Sequence, residues 1–97
     1  MVMNIDILRV HRDEILRIAK RYRAENVRVF GSVVRGEARE DSDIDFLVTF
    51  QPGASLLDQA GLIDDLKGAL GSKVDVVSDR ALNRYLRDKI LEEARPL

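Results

Sequence analysis

Apolar positions recur along this chain with two periods, one helical and one of strands. Between residues 5 and 24, Ile5, Leu8, Ile15, Ile18, Ala19 and Tyr22 fall near one stripe, while Arg9, Asp13, Lys20 and Arg23 fall elsewhere. That spacing predicts an amphipathic helix, with Asn4 as its N-cap. Residues 25–26 make a short turn, and Val27–Phe30 predict a strand that ends at Gly31. Ser32 to about Arg35 predict a short helix closed by Gly36, and the polar run 37–42 predicts a loop. The second strand runs from Ile44 to Phe50. Strand alternation places Ile44, Phe46, Val48 and Phe50 on one face and Asp43, Asp45, Leu47 and Thr49 on the other. Pro52-Gly53 then turns the chain.

Ser55 followed by Asp58 resembles a capping box with aspartate in the usual glutamate position. It predicts a helix over 56–70 with Leu56, Ile63, Leu66 and Leu70 on one side, Leu57 and Leu62 beside them, and Gly71 as the left-handed residue past its end. Val74–Val77 predict a third strand, interrupted by Asp75. Residues 80–94 predict a last amphipathic helix through Leu82, Tyr85, Leu86 and Ile90, with Pro96 beyond it. The order αβ(α)βαβα describes an α/β (α+β) fold, a small mixed sheet flanked by helices, in one domain over residues 1–97.

Composition narrows the function classes. Sixteen basic and seventeen acidic side chains give a formal charge of −1, without the basic excess that phosphate neutralisation by a nucleic-acid binder requires. No cysteine is present, which excludes disulfides and thiolate metal sites. No apolar run resembles a signal peptide or approaches the roughly 18 residues of a membrane span, so a cytoplasmic location without membrane contact is expected. The Lys20-Arg21-Tyr22-Arg23 cluster reads as the cationic last turn of a helix, and His11, the only histidine, as a surface residue.

Two glycine and acid motifs fail on inspection. Gly31 and Gly36 have P-loop spacing after a strand, but Glu37 and Ala38 stand where lysine and a hydroxyl residue are needed. Asp41, Asp43 and Asp45 have EF-hand spacing, but Phe46 replaces the required glycine and Pro52 the final glutamate. What remains is a combination. Gly31-Ser32 ends one strand, Asp43-Ile44-Asp45 opens the next, and Asp75 interrupts a third. Asp43 and Asp45, two apart, share a face beside a glycine turn that lets backbone amides approach an anion. Burying unpaired carboxylates among valines and leucines costs several kcal/mol unless cations or hydrogen bonds compensate, so three such interruptions at one sheet edge imply a shared ligand. Magnesium carried by a nucleotide triphosphate suits them.

In these residues the chain resembles the nucleotidyltransferases with the DNA polymerase β-type palm, whose signature is Gly-Ser, about ten residues, then Asp-x-Asp. The run from Phe30-Gly31-Ser32 through Arg35-Gly36 to Ser42-Asp43-Ile44-Asp45, with Lys73-Val74-Asp75-Val76-Val77, is similar to the minimal nucleotidyltransferase branch of prokaryotic toxin–antitoxin modules. The resemblance implies that Asp43, Asp45 and Asp75 ligate two Mg2+ ions and do the chemistry, with Asp75 also helping to accept a proton. It implies that Gly31 and Ser32 bind the phosphates of ATP. Arg35 either neutralises triphosphate charge or pairs with Glu37 or Asp41. Relatives often carry arginine or another large residue at the position of Val33, a difference that bears on one possible phosphate contact and not on the metal site.

The chain runs about twenty residues past Asp75, short of the helical acceptor domain of larger relatives. The acceptor is therefore expected on another molecule. The resemblance implies a helical HEPN-type RNase toxin encoded alongside, modified with AMP on a tyrosine hydroxyl in a type VII-like toxin–antitoxin module. Two alternatives are an antitoxin that acts by binding alone and a transferase for a small-molecule or RNA acceptor.

Overall fold

The computed structural model describes residues 2–97. Four strands form one mixed sheet in the order β3-β2-β1-β4, built from β1 (Ala24–Phe30), β2 (Ile44–Phe50), β3 (Val74–Ser78) and β4 (Arg95–Pro96). β1 pairs antiparallel with β2 and β4, and β2 pairs parallel with β3. The parallel pair needs a crossover, and α4 (Leu56–Leu70) supplies it. Its start and end follow from local chemistry. Ser55 and Asp58 close a reciprocal capping box, and Gly71 ends the helix at φ 62°.

Helices cover one face of the sheet. Ile44, Phe46 and Val48 of β2, Val29 of β1 and Val74 and Val76 of β3 form one core with Leu8, Ile15, Ile18, Leu62 and Leu66. α2 packs on α4 where the Tyr22 ring lies against Gly61, at a position where any Cβ would overlap the ring. The Tyr22 hydroxyl donates to Asp65 Oδ2 at 2.6 Å, a bond that raises the phenol's pKa. The opposite face of β2 carries Asp45, Leu47 and Thr49.

The N-terminal helix is two helices, α1 (Ile5–Val10) and α2 (Arg12–Arg21), rather than one over 5–24. The predicted stripe still holds, with Leu8, Ile15, Ile18 and Ala19 buried, and Asn4 Oδ1 accepts from the Ile7 amide at 2.9 Å as its cap. The break falls at His11, whose amide bonds to Leu8 O at 3.0 Å, one residue short of helical spacing. Basic Arg9 closes α1 and acidic Asp13 and Glu14 open α2, the charge order of a helix boundary. The turn expected at 25–26 is instead strand, since β1 starts at Ala24 and absorbs Asn26 (φ 51°) in an irregularity between Glu25 and Arg28.

The predicted helix over 80–94 shrinks to α5 (Arg87–Glu93). Asn83 Oδ1 accepts from the Tyr85 amide, a local turn that competes with helix. Tyr85 is 82% exposed and Leu86 51%, so the apolar periodicity there covers only Leu82 and Ile90, and those in part. Leu56 and Leu57, each 83% exposed, likewise lie off the face of α4 that packs. The two-residue β4 was not expected; it lies at the edge of the sheet, where Pro96 is tolerated. No helix among the described residues is long and apolar enough to cross a membrane.

Candidate active site

Strand register builds the site. Asp45 and Asp75 are direct partners on the parallel strands β2 and β3, and Phe30 of β1 is the partner of Asp45 on its other side. Neighbouring strands lie about 4.8 Å apart, so the two carboxylates project side by side from one face. Asp43 precedes β2 by one residue and shares the Asp45 face. The next residue after Phe30 is Gly31, at φ 82°, a left-handed value that favours glycine. A Cβ at Gly31 would overlap Asp45 Oδ2, so the backbone passes directly against that carboxylate.

Ser32 opens α3 (Ser32–Arg35), which Gly36 ends in a left-handed conformation, as the sequence predicts. Ser32 is half-buried and Arg35 exposed. Val33 is buried in the core, so in this chain that side chain makes no phosphate contact. The Arg35 guanidinium bonds Glu37 at 3.1 Å and, from α5, Glu93; Asp41 is not a partner. The hydrogen bonds that the guanidinium donates to Glu93 first and then to Glu37 raise the arginine's pKa further, so its charge is permanent. Glu93 also accepts from the Gly31 amide at 3.3 Å. Sequence reasoning missed Glu93. Its two partners lie 62 and 58 residues away, and no spacing motif joins positions that far apart.

Burial is uneven among the three aspartates, which corrects the energetic argument from sequence. Asp43 and Asp75 are exposed, and Asp75 Oδ1 accepts from the Val76 amide at 3.0 Å. Only Asp45 is partly buried. Burial pushes its pKa up to about 6, and the nearby charges of Asp75, then Asp43, push the same way against the pull of Arg35. Burial of one carboxylate, reinforced by repulsion from the two beside it, rather than three separate burial penalties, therefore marks this corner.

The donor set is all carboxylate oxygen, the hard chemistry that suits magnesium and excludes soft metals. No three acidic or histidine side chains among the described residues already stand as a closed cage. The fit rests on Asp45, whose charge is destabilised by two neighbouring carboxylates that a cation would neutralise. Surface grooves lie elsewhere on the molecule. One of about 480 Å³ runs between α2 and α4, past Arg17, Arg21 and Asp64, on the helical side of the sheet. Of the carboxylates, Asp43 and Asp75 face solvent and Asp45 is partly covered.

On the other end of the same sheet face, Asp79 accepts from Thr49 and from Arg28 at 2.9 Å. Burial works against its charge, but those two hydrogen bonds outweigh it and hold the carboxyl below its ordinary range.

Comparison with known proteins bears on this geometry. The family model described as nucleotidyltransferase domain matches residues 8–97. The protein adenylyltransferase MntA of Thermococcus cleftensis is 40% identical over 87 residues, spanning 90% of this chain and 85% of that one. A solved structure of a candidate minimal nucleotidyltransferase is 53% identical, with a TM-score of 0.86, covering 98% of this chain and 97% of its own. A toxin–antitoxin complex with AMP-PNP contains a chain 23% identical at TM-score 0.74, over 87% of this chain and 69% of that one, a likeness of fold alone.

Proposed function

The chain belongs to the nucleotidyltransferase domain family, and on that footing we propose that it transfers AMP from ATP, with Mg2+, to a hydroxyl of a partner protein. The partner is a helical HEPN-type RNase toxin, the acceptor a tyrosine, and the outcome the silencing of that toxin in a type VII-like module. The observation that carries the reading is the register of Asp45 against Asp75, beside a glycine whose backbone touches the Asp45 carboxylate. The name of the Thermococcus relative supports AMP transfer to protein, and the AMP-PNP complex of a distant neighbour supports the nucleotide and the kind of partner.

Asp43, Asp45 and Asp75 would hold the divalent cations. When bound, these supply charge neutralisation for the triphosphate and a lowered pKa for the attacking hydroxyl. Asp45, crowded by its neighbours, gains most from that neutralisation. The Gly31 turn brings backbone to the phosphates and Ser32 offers its hydroxyl to a phosphate oxygen. Arg35 contributes a fixed positive charge where negative charge accumulates on the leaving group. The acceptor oxygen forms a bond to the α-phosphorus in line with the bond to the β-phosphate, which breaks as pyrophosphate departs. The hydroxyl proton passes to Asp75.

Growth rescue separates this from inhibition by binding. Cells expressing the toxin with Asp43→Asn/Asp45→Asn protein, at equal antitoxin level, are expected to stop growing while the wild type rescues them. Equal rescue by both proteins would mean that binding alone neutralises the toxin. Transfer to a small molecule or an RNA end without any protein partner would redirect the acceptor assignment.

A further inference from the structure

Glu93 is the last residue of α5, and its side chain is 17% exposed. One oxygen accepts from the Gly31 amide and the other pairs with Arg35. A carboxylate thus holds, at once, a backbone donor and a guanidinium at the carboxylate corner, two groups that suit the oxygens of a phosphate. The same carboxylate adds to the negative charge around Asp45. At its first residue α5 is also held by Arg87, whose guanidinium donates to the Asp79 carbonyl at 3.1 Å, away from the last turn. None of its residues is fully buried, and it leads directly into the two-residue edge strand β4.

We propose that Glu93 is an internal anion that keeps Gly31 and Arg35 ordered in the empty protein and yields both to the triphosphate, freeing the last turn of α5 when nucleotide binds. This rests on the nucleotide reading above and adds a determinant of its affinity. Arg35 is 44% exposed although Glu93 is only 17% exposed, so solvent and an incoming anion reach the pair from the arginine side. An exchange of one anion for another of higher charge on the same donors needs no rebuilding of the fold.

The test is calorimetric binding of AMP-PNP with Mg2+ to the wild type, Glu93→Gln and Glu92→Gln. Glu92 is exposed and removes the same formal charge when neutralised, without touching Gly31 or Arg35. Glu93→Gln is expected to bind roughly two- to tenfold tighter than wild type, as loss of one partly exposed ion pair implies. Glu92→Gln is expected to match the wild type. Unchanged or weaker binding by Glu93→Gln overturns the proposal and makes the glutamate a support for Arg35. Equal tightening by both variants also overturns it, since general charge then explains the effect. A second measurement uses the wild type alone. Amide exchange over residues 87–94 should quicken when Mg2+ and AMP-PNP bind, and slowed or unchanged exchange overturns the release of α5. Absence of any binding to all three folded proteins would overturn the nucleotide reading itself, a result distinct from the other failures.

Discussion

Asp45→Asn removes a charge that the folded protein holds at a loss. Burial, Asp75 and Asp43 raise its pKa from 3.8 to about 6, and hydrogen bonds take no part in that shift. A carboxyl whose folded pKa lies above its unfolded value binds its proton more tightly when folded. Its contribution is therefore most favourable below pH 3.8, falls as pH climbs toward 6, and stays unfavourable above that. Roughly two units at about 1.4 kcal/mol each set a ceiling near 3 kcal/mol. Partial exposure and solvent screening reduce this to roughly 1–2 kcal/mol at neutral pH. For a domain of this size that is a rise in Tm of about 4–8 °C per kcal/mol. Urea unfolding of both proteins in chelator, from pH 4 to pH 8, measures it. The variant is expected to match the wild type near pH 4 and exceed it progressively up to about pH 6.5, with a constant gap beyond. A variant less stable than wild type at pH 7.5, or a gap independent of pH, would refute the crowding of Asp45. Saturating Mg2+ with nucleotide should close the gap by stabilising the wild type alone.

Other substitutions test the neighbouring claims. Gly31→Ala adds a Cβ that overlaps Asp45 Oδ2 at a positive φ. It should lose roughly 1–3 kcal/mol in chemical unfolding and abolish nucleotide binding in calorimetry. Gly61→Ala should also destabilise, by about 1–3 kcal/mol, because overlap with the Tyr22 ring outweighs a gain in helix propensity of about 1 kcal/mol. An observed gain in Tm would show that the α2–α4 contact is loose. Arg28→Ala leaves Asp79 with its buried Oδ1 unpartnered and only Thr49 bonded to Oδ2. It should cost roughly 1–3 kcal/mol at pH 7, less as pH falls through the depressed Asp79 pKa.

How much of this could be read from the chain depends on the range of the interaction. Local chemistry was legible. Asn4, the Ser55–Asp58 box, Gly36 and Gly71 bound their helices, and strand alternation put Asp45 opposite the core-facing Phe46. The Gly31-Ser32 and Asp43-Ile44-Asp45 pairs pointed to one corner, and the register of β2 with β3 brings Asp75 there as well. Exposure was less legible. Alternation within an apolar run does not tell whether a carboxylate at a strand end is covered, and Asp43 and Asp75 are not. At the other end of the chain, Leu82, Tyr85 and Leu86 have helical spacing but Tyr85 and Leu86 stay exposed, and Asn83 wins the local competition with a turn. β4 and Glu93 depend on pairings across more than fifty residues, with β1, Gly31 and Arg35, that no local pattern encodes.

The central claim is transfer of AMP to a partner protein by Asp43, Asp45 and Asp75. Intact-mass spectrometry of the proposed HEPN-type partner, after incubation with this chain, ATP and Mg2+, tests it most directly. The account predicts a mass gain in whole AMP units, absent with Asp43→Asn/Asp45→Asn and absent with chelator. An unmodified partner, under conditions where the wild type binds both ATP and that partner, would contradict it.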